Sequence, residues 1–534
     1  MKITFYGAAK AVTGSCTCLE CGNKQILIDC GLQQGRDEVD NSMFEFSAGT
    51  IDDVVVTHAH IDHSGRLPLL VKQGFRGRIF CTRLTAELLD IMLHDSAHIQ
   101  EMETQWKNQK GKRAGQPAME PLYSFADVER ALELITVCEY GDILDIEPGV
   151  RIRFTDAGHL LGSACVEFWL AEGAVEKKIV FSGDLGNADQ PIIKDPQPIS
   201  PPIADYIVTE STYGDRNHTP PESYTQALAE IIDETFSHGG NVIIPSFAVG
   251  RTQELLYFIR EMKEQGMVKN NPHFKVVVDS PLANKATKIF SGDLRGYLDD
   301  EAISAIKKGA LFTFPGLTLT ETNEESRALN DDPSPKVIIS ASGMCDAGRI
   351  RHHLKHNLWR PESAVIFVGY QVEGTLGRIL LDGAKQVKIF GENILVRARI
   401  VNFKGMSSHA DRDHLIAWAE QFSASKPAQY FVMHGDADVS ENYAQALKDK
   451  GLPAHVPDYT EVYDLATNSL VCAGIPRPRK EKSGHKPKGS PAYIRLENTA
   501  HDLMNLVANS KGRANKDLAK FADQLLALMD KFER

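Results

Sequence analysis

The stretch VVVTHAHIDHSG at residues 54–65 places three histidines and an aspartate within six positions at the end of an apolar run. Valine-rich runs of this kind are typical of buried strands, so the polar side chains follow the point where the strand ends. His58 and His60 are two positions apart, which puts both on one side of an extended segment. Asp62 and His63 follow where the chain turns towards a helical pattern, so they can face a second metal. Imidazole and carboxylate groups this close together indicate a metal site.

Three further segments place a metal-competent residue beside a glycine after an apolar run. They are DAGHLLGSA with His159, FSGDLG with Asp184 and FVMHGD with His434. A lone histidine near a glycine is usually structural or exposed to solvent. A hydrolytic site with two metals, however, needs about seven or eight ligands around a bridging water. Because the four segments together supply about that number, we predict that they form one metal site.

Two patterns of apolar runs alternate along the chain. Residues 1–204 carry short apolar runs with glycine turns and helical patterns between them, which predicts a β-rich sandwich with helices outside. Residues 205–394 alternate strand-like and helix-like segments, a pattern typical of a parallel α/β sheet. The pattern of residues 1–204 returns at 395–475. We therefore predict an α/β protein in which one domain is inserted into another.

Residues 476–534 are predicted to form a basic linker and a helical tail. They carry 13 basic and 7 acidic side chains in a protein whose formal net charge is −12. Leu518, Phe521 and Leu525 begin an apolar series at near-helical spacing. A helix of this kind packs within its own chain or contacts a partner, which includes a second copy in a homo-oligomer.

Targeting and redox features point to the cytoplasm. The sequence has no run of about 18 apolar residues, so no transmembrane helix and no membrane partner are expected. The N-terminal MKITFYGAAKAVTGSC has an early glycine and no long apolar core, which argues against a signal peptide. The 9 cysteines are scattered and odd in number, which fits reduced thiols better than a disulfide framework.

The motifs THAHIDHSG, GHLLGSA and SGDLG together resemble the metallo-β-lactamase superfamily. The resemblance implies an αββα sandwich with two zinc ions at its edge. The residues at the family's ligand positions are His58, His60 and His159 for one ion, and Asp62, His63 and His434 for the other. By the same pattern Asp184 would bridge the ions. Asp29, in ILIDCG, matches an early aspartate that orients the metal ligands without binding the metal.

The chain also resembles the β-CASP branch of that superfamily, which contains RNA-cleaving enzymes. The motifs that carry this resemblance are GAAKAVTGSC (7–16), TESTYGDR, PSFAVGRTQELL (245–256), DSPLA (279–283), ASGMCDAGR (341–349), GYQVEGTLGR (369–378) and SSHAD. Glu210, His409 and His434 occupy the three extra motif positions of the branch. The residue before the motif histidine is usually small, and here it is Ser408. The resemblance covers about residues 1–470 and is nearest to bacterial relatives of the endonuclease that processes pre-mRNA 3′ ends.

The resemblance implies a zinc-dependent ribonuclease acting on single-stranded RNA, with internal cleavage favoured over 5′-exonucleolytic cleavage. Asp62, or the environment of the hydroxide that bridges the metals, would take the proton of the attacking water. His409, held by Glu210, would donate a proton to the leaving oxygen. A structural histidine and a helix N-cap are the alternative interpretations of the last two residues. A small-molecule metallohydrolase is a weaker alternative, because it has no need of the inserted domain. The sequence leaves open which RNA is cleaved and whether the metal in use is zinc or manganese.

Phosphate contacts are predicted at the strand-end turns SFAVGR and SASGM. Ser246, Ser342 and Gly343 lie where backbone N–H groups can bind an anion. Arg251 would add positive charge, and the Ser408 hydroxyl can also bind a phosphate. Ordinary strand-to-helix turns are the alternative interpretation of all these positions.

Overall fold

The computed structural model describes residues 1–34, 40–113, 115, 117–219, 223–308, 311–372, 374–403, 405–476, 503 and 515–532. The chain divides into two compact units, Met1–Arg479 and Lys480–Arg534. The predicted basic linker lies almost wholly outside the described residues. None of the described helices is long and apolar enough to cross a membrane. All nine cysteines are free thiols, as their odd number and scattered spacing predicted.

The strands in chain order are β1 (Lys2–Phe5), β2 (Thr17–Cys21), β3 (Lys24–Ile28), β4 (Asp53–Val55), β5 (Arg78–Thr82), β6 (Ile135–Cys138), β7 (Leu144–Glu147), β8 (Val150–Asp156), β9 (Ala164–Glu172), β10 (Val175–Phe181), β11 (Tyr206–Thr209), β12 (Val242–Pro245), β13 (Lys275–Val278), β14 (Leu317–Leu319), β15 (Lys336–Ser340), β16 (Ala364–Phe367), β17 (Gln386–Ile389), β18 (Glu392–Leu395), β19 (Arg399–Asn402), β20 (Gln429–Val432), β21 (Ala454–His455), β22 (Val462–Asp464) and β23 (Ser469–Cys472).

The helices in chain order are α1 (Ile61–Ser64), α2 (Leu67–Lys72), α3 (Arg83–Arg113), α4 (Phe125–Leu132), α5 (Tyr224–Ser237), α6 (Arg251–Glu264), α7 (Pro281–Ile289), α8 (Asp300–Lys308), α9 (Asn323–Asp331), α10 (Ile350–Asn357), α11 (Leu376–Leu381), α12 (Arg412–Glu420), α13 (Ala437–Asp449) and α14 (Asn515–Phe532). Their N-termini are often capped as the sequence dictates. The Ser223 and Ser280 side chains, for example, accept a backbone N–H from the first turns of α5 and α7.

Two large sheets pack face to face in the first unit. One has the order β23-β22-β1-β2-β3-β4-β5-β6 and the other β21-β20-β11-β10-β9-β8-β7. Apolar residues that alternate along the strands, such as Val150, Ile152 and Phe154 of β8, fill the space between them. Helices α1–α4 pack on the outer face of the first sheet, and α12 and α13 pack on the outer face of the second. The result is the predicted αββα sandwich.

The inserted domain is a third sheet, whose strands are all parallel and run in the order β14-β13-β15-β12-β16-β19. Its strands are short, fully buried runs such as VIIP and AVIF, because helices cover both faces. Helices α5–α7 pack on one face, where a single apolar core continues into the sandwich. Helices α10 and α11 pack on the other face. This confirms the predicted parallel α/β insertion.

The strand pairing bears on where the insertion begins and ends. Strand β11 pairs with β10 and β20 and so belongs to the sandwich, although it follows residue 205. Strand β19 pairs with β16 and so belongs to the inserted sheet, although it follows residue 394. A boundary at residue 205 therefore assigns β11 to the inserted domain, although it pairs in the sandwich. A boundary at residue 394 assigns β19 to the sandwich, although it pairs in the inserted sheet. Apolar runs of equal length look alike in sequence, and only their hydrogen-bonding partners distinguish them.

Candidate metal centre

The topology of the sandwich carries the predicted ligands to one edge. Strands β10, β11 and β20 are parallel neighbours, so their carboxyl ends lie side by side. Asp184, Glu210 and His434 follow these three strand ends. In the facing sheet, β3 and β4 are also parallel neighbours, and Asp29 and His58 follow them. Strand β8, which precedes His159, runs in the same direction as β10, so the four sequence segments that predicted ligands converge in space.

The first ligand cluster combines three imidazoles with one carboxylate. His58 Nε2 lies 3.0 Å from His60 Nδ1, which in turn lies 3.3 Å from His159 Nε2. Asp184 Oδ2 lies 3.5 Å from His58 Nε2 and 3.7 Å from His159 Nε2. Tetrahedral zinc with bonds of about 2.0–2.1 Å separates its ligand atoms by roughly 3.3 Å. The spacing of the four donor atoms therefore fits one such ion.

The second cluster consists of Asp62, His63 and His434. The Nε2 atoms of the two histidines are 3.1 Å apart, and Asp62 Oδ2 lies 3.6 Å from His434 Nε2. The other oxygen of Asp184, Oδ1, faces this cluster at 3.3 Å from His63 Nε2. Oδ1 is buried and accepts no hydrogen bond of good geometry from the described residues. One carboxylate thus offers an oxygen to each cluster, as a bridging ligand does.

The Asp184 loop approaches the His159 loop because a glycine leaves room for it. A Cβ atom on Gly186 would lie 1.8 Å from the carbonyl oxygen of Gly158, so no other residue fits there without moving the backbone. The Gly186 N–H donates to the carbonyl of Ala157 at 2.8 Å. The glycine that follows the aspartate in SGDLG therefore has a packing role in the site.

A second layer of residues fixes the orientation of the histidine rings. Asp29 Oδ2 lies 2.7 Å from His63 Nδ1. Asp29 in turn accepts hydrogen bonds from the Thr57 backbone N–H at 2.8 Å and from the Ser15 hydroxyl at 3.2 Å. The Nδ1 atom of His159 lies 3.1 Å from the carbonyl of Ser408. Such partners on the far ring nitrogen set which nitrogen faces the metal.

Sequence reasoning missed two hydroxyl side chains in this layer. Thr57 Oγ1 lies 3.1 Å from His58 Nδ1, and Thr212 Oγ1 lies 3.2 Å from His434 Nδ1. Both threonines stand inside motifs that had been noted, THAHIDH and TESTYGDR. The available signal was the position of Thr57 beside a proposed ligand, since neutral hydroxyls can replace carboxylates as partners of a ligand imidazole.

Burial and charge set the protonation of the two clusters. Burial lowers the pKa of His58 and His159 well below the usual value, and lowers the pKa of His60 to about 4. Burial would favour a neutral Asp184, but the surrounding histidines, His434 foremost, hold the pKa of that carboxyl well below its usual range. Neutral imidazoles beside an ionised carboxylate are the forms that bind a divalent cation, and the first cluster has them. In the second cluster burial opposes protonation, but the charge of Asp184 raises the pKa of His63 and of His434, so a cation that binds there displaces protons. The donor chemistry of both clusters fits a metal.

The predicted acid and its partner lie beside the first cluster. His409 Nδ1 lies 3.3 Å from Glu210 Oε1, and its ring centroid is 4.5 Å from that of His159. Glu210 is fixed by the backbone N–H groups of Leu185 at 2.6 Å and Thr212 at 3.2 Å. Burial opposes protonation of His409, but the charge of Glu210 raises its pKa to about 9. The His409 side chain remains 21% exposed, so a substrate can reach it.

The predicted phosphate-binding residues fall into two groups. Ser246 and Arg251 are buried and use their polar atoms inside the protein. The Ser246 hydroxyl donates to the carbonyl of Phe247, and the Arg251 guanidinium pairs with Glu254 one helical turn away. These contacts engage both side chains inside the protein, and neither is an exposed phosphate ligand. The spacing of Arg251 and Glu254 in α6 is the i, i+3 pattern of a helix ion pair.

The second group consists of Ser342, Gly343 and Ser408, of which the two serines are half-buried. Ser342 is half-buried, and its hydroxyl lies 3.5 Å from the carbonyl of Ala347, which is a weak contact. Gly343 packs against the ring of Phe247. Ser408 is also half-buried, and its backbone carbonyl faces the His159 ring.

An αββα sandwich with paired histidine and carboxylate clusters at one edge defines the metallo-β-lactamase class of metal-dependent hydrolases. Family models match three consecutive parts of the chain. They are the metallo-β-lactamase superfamily over residues 10–245, the Beta-Casp domain over 252–380 and the Zn-dependent metallo-hydrolase RNA specificity domain over 393–457. The chain belongs to the β-CASP nuclease branch of the metallo-β-lactamase superfamily, as its motifs predicted.

Curated relatives span most of this chain. A protein named ribonuclease TTHA0252, from Thermus thermophilus, is 37% identical over 79% of this chain and 91% of its own length. A transcription termination factor, FttA, of Methanosarcina mazei is 30% identical over 84% of this chain and 69% of its own length. An RNase J-like protein of Methanocaldococcus jannaschii is 30% identical over 85% of this chain and 97% of its own length.

Proposed function

We propose that this protein is a zinc-dependent ribonuclease that cleaves phosphodiester bonds inside single-stranded RNA. The observation that carries the proposal is the pairing of His409 with Glu210 at 3.3 Å, next to two metal-ligand clusters that share Asp184. A metal centre alone is common to many hydrolases. A separate proton donor beside it suits a reaction that must release an alkoxide leaving group.

Two zinc ions fit the donor set best, because zinc takes imidazole nitrogen and carboxylate oxygen together and the donor spacing is that of a tetrahedral ion. His58, His60 and His159 would hold one ion, Asp62, His63 and His434 the other, and Asp184 would bind both. When bound, such a pair supplies an activated water and neutralises charge on the phosphate.

The protein's own residues then handle protons and geometry. His409 donates a proton to the leaving oxygen, and Glu210 keeps the ring protonated and correctly turned. Asp62, at the edge of the second cluster, would accept the proton of the attacking water. Asp29 fixes the His63 ring through their 2.7 Å contact. Ser342 and Ser408, which are half-buried, are the phosphate contacts that we retain from the sequence.

The substrate class is supported by three observations. One relative carries the name ribonuclease and another the name RNase J-like protein. A family model described as an RNA specificity domain matches residues 393–457, which contain His409 and His434. The metal ligands lie at the sandwich edge beside the inserted domain, and a confined site of this kind admits one strand more easily than a duplex.

The test uses one single-stranded RNA in two forms, labelled at the 5′ end and at the 3′ end. The zinc-loaded wild type is expected to give internal fragments from both, and His409→Ala is expected to cut about 10²–10⁴-fold more slowly with unchanged metal content. His238→Ala, an exposed histidine at the end of α5, is the matched control. Release of mononucleotides from the 5′ end would replace internal cleavage with exonucleolytic cleavage. If the protein binds two metals and cuts no RNA, the proposal is wrong.

A further inference from the structure

Phe247 is an exposed aromatic residue in a loop that is otherwise mostly buried. Its side chain lies between β12 and α6 and is 40% exposed, whereas Ser246, Ala248 and Val249 are all buried. It pairs with no other aromatic ring among the described residues. Since a single exposed phenylalanine is ordinary on a protein surface, its surroundings decide whether it has a function.

The backbone under Phe247 is held in place from several sides. Its carbonyl accepts hydrogen bonds from the hydroxyls of Thr252 at 2.7 Å and Ser246 at 3.1 Å. The Ser246 N–H donates to the carbonyl of Ser340 at 3.1 Å, which ties the loop to β15. A ring on a fixed backbone loses little conformational entropy when a ligand stacks on it. Phe247 is therefore exposed on a backbone that is held in place by hydrogen bonds.

Two glycines make room for the ring. A Cβ atom on Gly343 would lie 3.1 Å from Phe247 Cδ2 and 3.2 Å from Cε2. A Cβ atom on Gly369 would lie 3.8 Å from Cε2. These glycines follow β15 and β16, the two strands that flank β12. The ring thus lies across the carboxyl ends of three adjacent parallel strands.

This is the edge of the sheet at which parallel α/β domains bind ligands, above all where the helices of adjacent strands go to opposite faces. Strand β12 leads into α6, which packs on the face nearest the sandwich, and its neighbour β15 leads into α10 on the other face. The phenylalanine therefore occupies the ligand-binding edge of the inserted domain.

The same edge adjoins the metal centre. A Cβ atom on Gly250, three residues after Phe247, would lie 3.1 Å from the Cδ1 atom of Leu160, the residue next to His159. On the other side, the ring of Tyr370, next to Gly369, is 6.2 Å from that of Tyr213. The Tyr213 ring is in turn 6.3 Å from that of His409. A strand of RNA at the metal centre would therefore have Phe247 within reach of a neighbouring nucleotide.

We propose that Phe247 is a positioning residue that stacks on one base of the RNA next to the cleaved bond. The proposal rests on the proposed function and adds to it a base contact that tolerates any of the four bases, since every base has an aromatic face. Stacking of one base on an aromatic side chain corresponds to roughly a 5- to 150-fold change in affinity.

The test compares Phe247→Ala and Phe247→Trp with the wild type. Phe125→Ala is a matched control, because Phe125 is 39% exposed on α4. Phe247→Ala is expected to raise KM at least about fivefold with kcat within about twofold, and Phe247→Trp is expected to restore KM. An RNA series with one abasic nucleotide then locates the stacked base. At that position the abasic RNA is expected to bind the wild type more weakly than the intact RNA does. Phe247→Ala is expected to bind the abasic and the intact RNA equally well.

Two results would overturn the proposal. One is an unchanged KM in Phe247→Ala, and the other is an abasic penalty of equal size in the variant and the wild type. If the wild type cuts no RNA at all, the proposed ribonuclease function has failed instead. Fluorescence anisotropy with the same labelled RNA then decides on stacking, because Phe247→Ala must still bind the strand more weakly than Phe125→Ala does.

Discussion

Asp29 Oδ2 lies 2.7 Å from Nδ1 of His63, and both side chains are almost completely buried. The contact fixes the ring so that Nε2 faces His434 and Asp184. Asp29 has a backbone φ of +62°, a left-handed conformation in which aspartate is better tolerated than most residues. The left-handed residue after β3 therefore holds the ring of one predicted metal ligand.

Replacing Asp29 with asparagine is expected to weaken metal binding at the second cluster about 10- to 100-fold. The amide can keep a hydrogen bond to His63 but lacks the charge that makes the imidazole a better donor. Competition with a zinc-binding dye measures the two affinities. Equal affinities in the variant and the wild type would remove Asp29 from the metal-orienting layer.

Replacing Asp184 with alanine is expected to reduce the bound metal from two ions per chain to one or none. No other carboxylate among the described residues faces both clusters. Elemental analysis of the purified protein gives the stoichiometry. The exposed Asp300→Asn variant, on α8, is expected to retain both ions. Two ions bound to Asp184→Ala would show that the carboxylate is not a bridge.

Replacing Glu210 with glutamine is expected to move the alkaline limb of the kcat profile to lower pH. The pKa of His409 is raised to about 9 in the presence of Glu210, so the ring is protonated below that pH and loses its proton above it. Activity that needs a proton from His409 therefore falls as pH rises through this value. Without the carboxylate charge the pKa drops, and the fall begins earlier. If the alkaline limb of the kcat profile does not move in Glu210→Gln, that limb reports the titration of another group.

Replacing Asp279 with asparagine is expected to lower the free energy of unfolding by about 3 kcal/mol at pH 7. Asp279 is buried at the end of β13, where His353 Nε2 and Arg349 Nη1 lie 2.6 and 2.8 Å from its oxygens. His353 is also fully buried.

The loss of stability in Asp279→Asn is expected to depend on pH in a defined direction. Hydrogen bonds from His353, Ser326 and Thr320 outweigh burial and hold the pKa of Asp279 below its usual value. A depressed carboxyl pKa contributes stability above the unfolded value of about 3.9 and loses it as pH falls below that. The thermal midpoints of variant and wild type should therefore begin to converge below about pH 4 and meet only as pH falls through the lower folded pKa. A gap that stays constant to low pH would contradict an ionic role.

The local sequence determined the elements and half of the site. Apolar runs at β4, β8 and β12 predicted strands, and the spacing in HAHIDH predicted a metal site, because periodicity and ligand spacing are properties of adjacent residues. His159, Asp184 and His434 had equally local signals, but nothing within each segment states that they meet. They meet because β8, β10 and β20 lie in one sheet and run in the same direction, and strand pairing is a long-range choice.

Tertiary packing alone decided the rest. Strands β11 and β19 look alike as apolar runs, yet one pairs in the sandwich and the other in the inserted sheet. Arg251 stands in a motif that suggested a phosphate contact, but the core that closes over α6 buries its guanidinium against Glu254. Phe247 was one more apolar residue in the sequence, and its ring packs against glycines about 100 residues away. Burial and proximity of this kind come from which elements pack together, and single segments do not encode that.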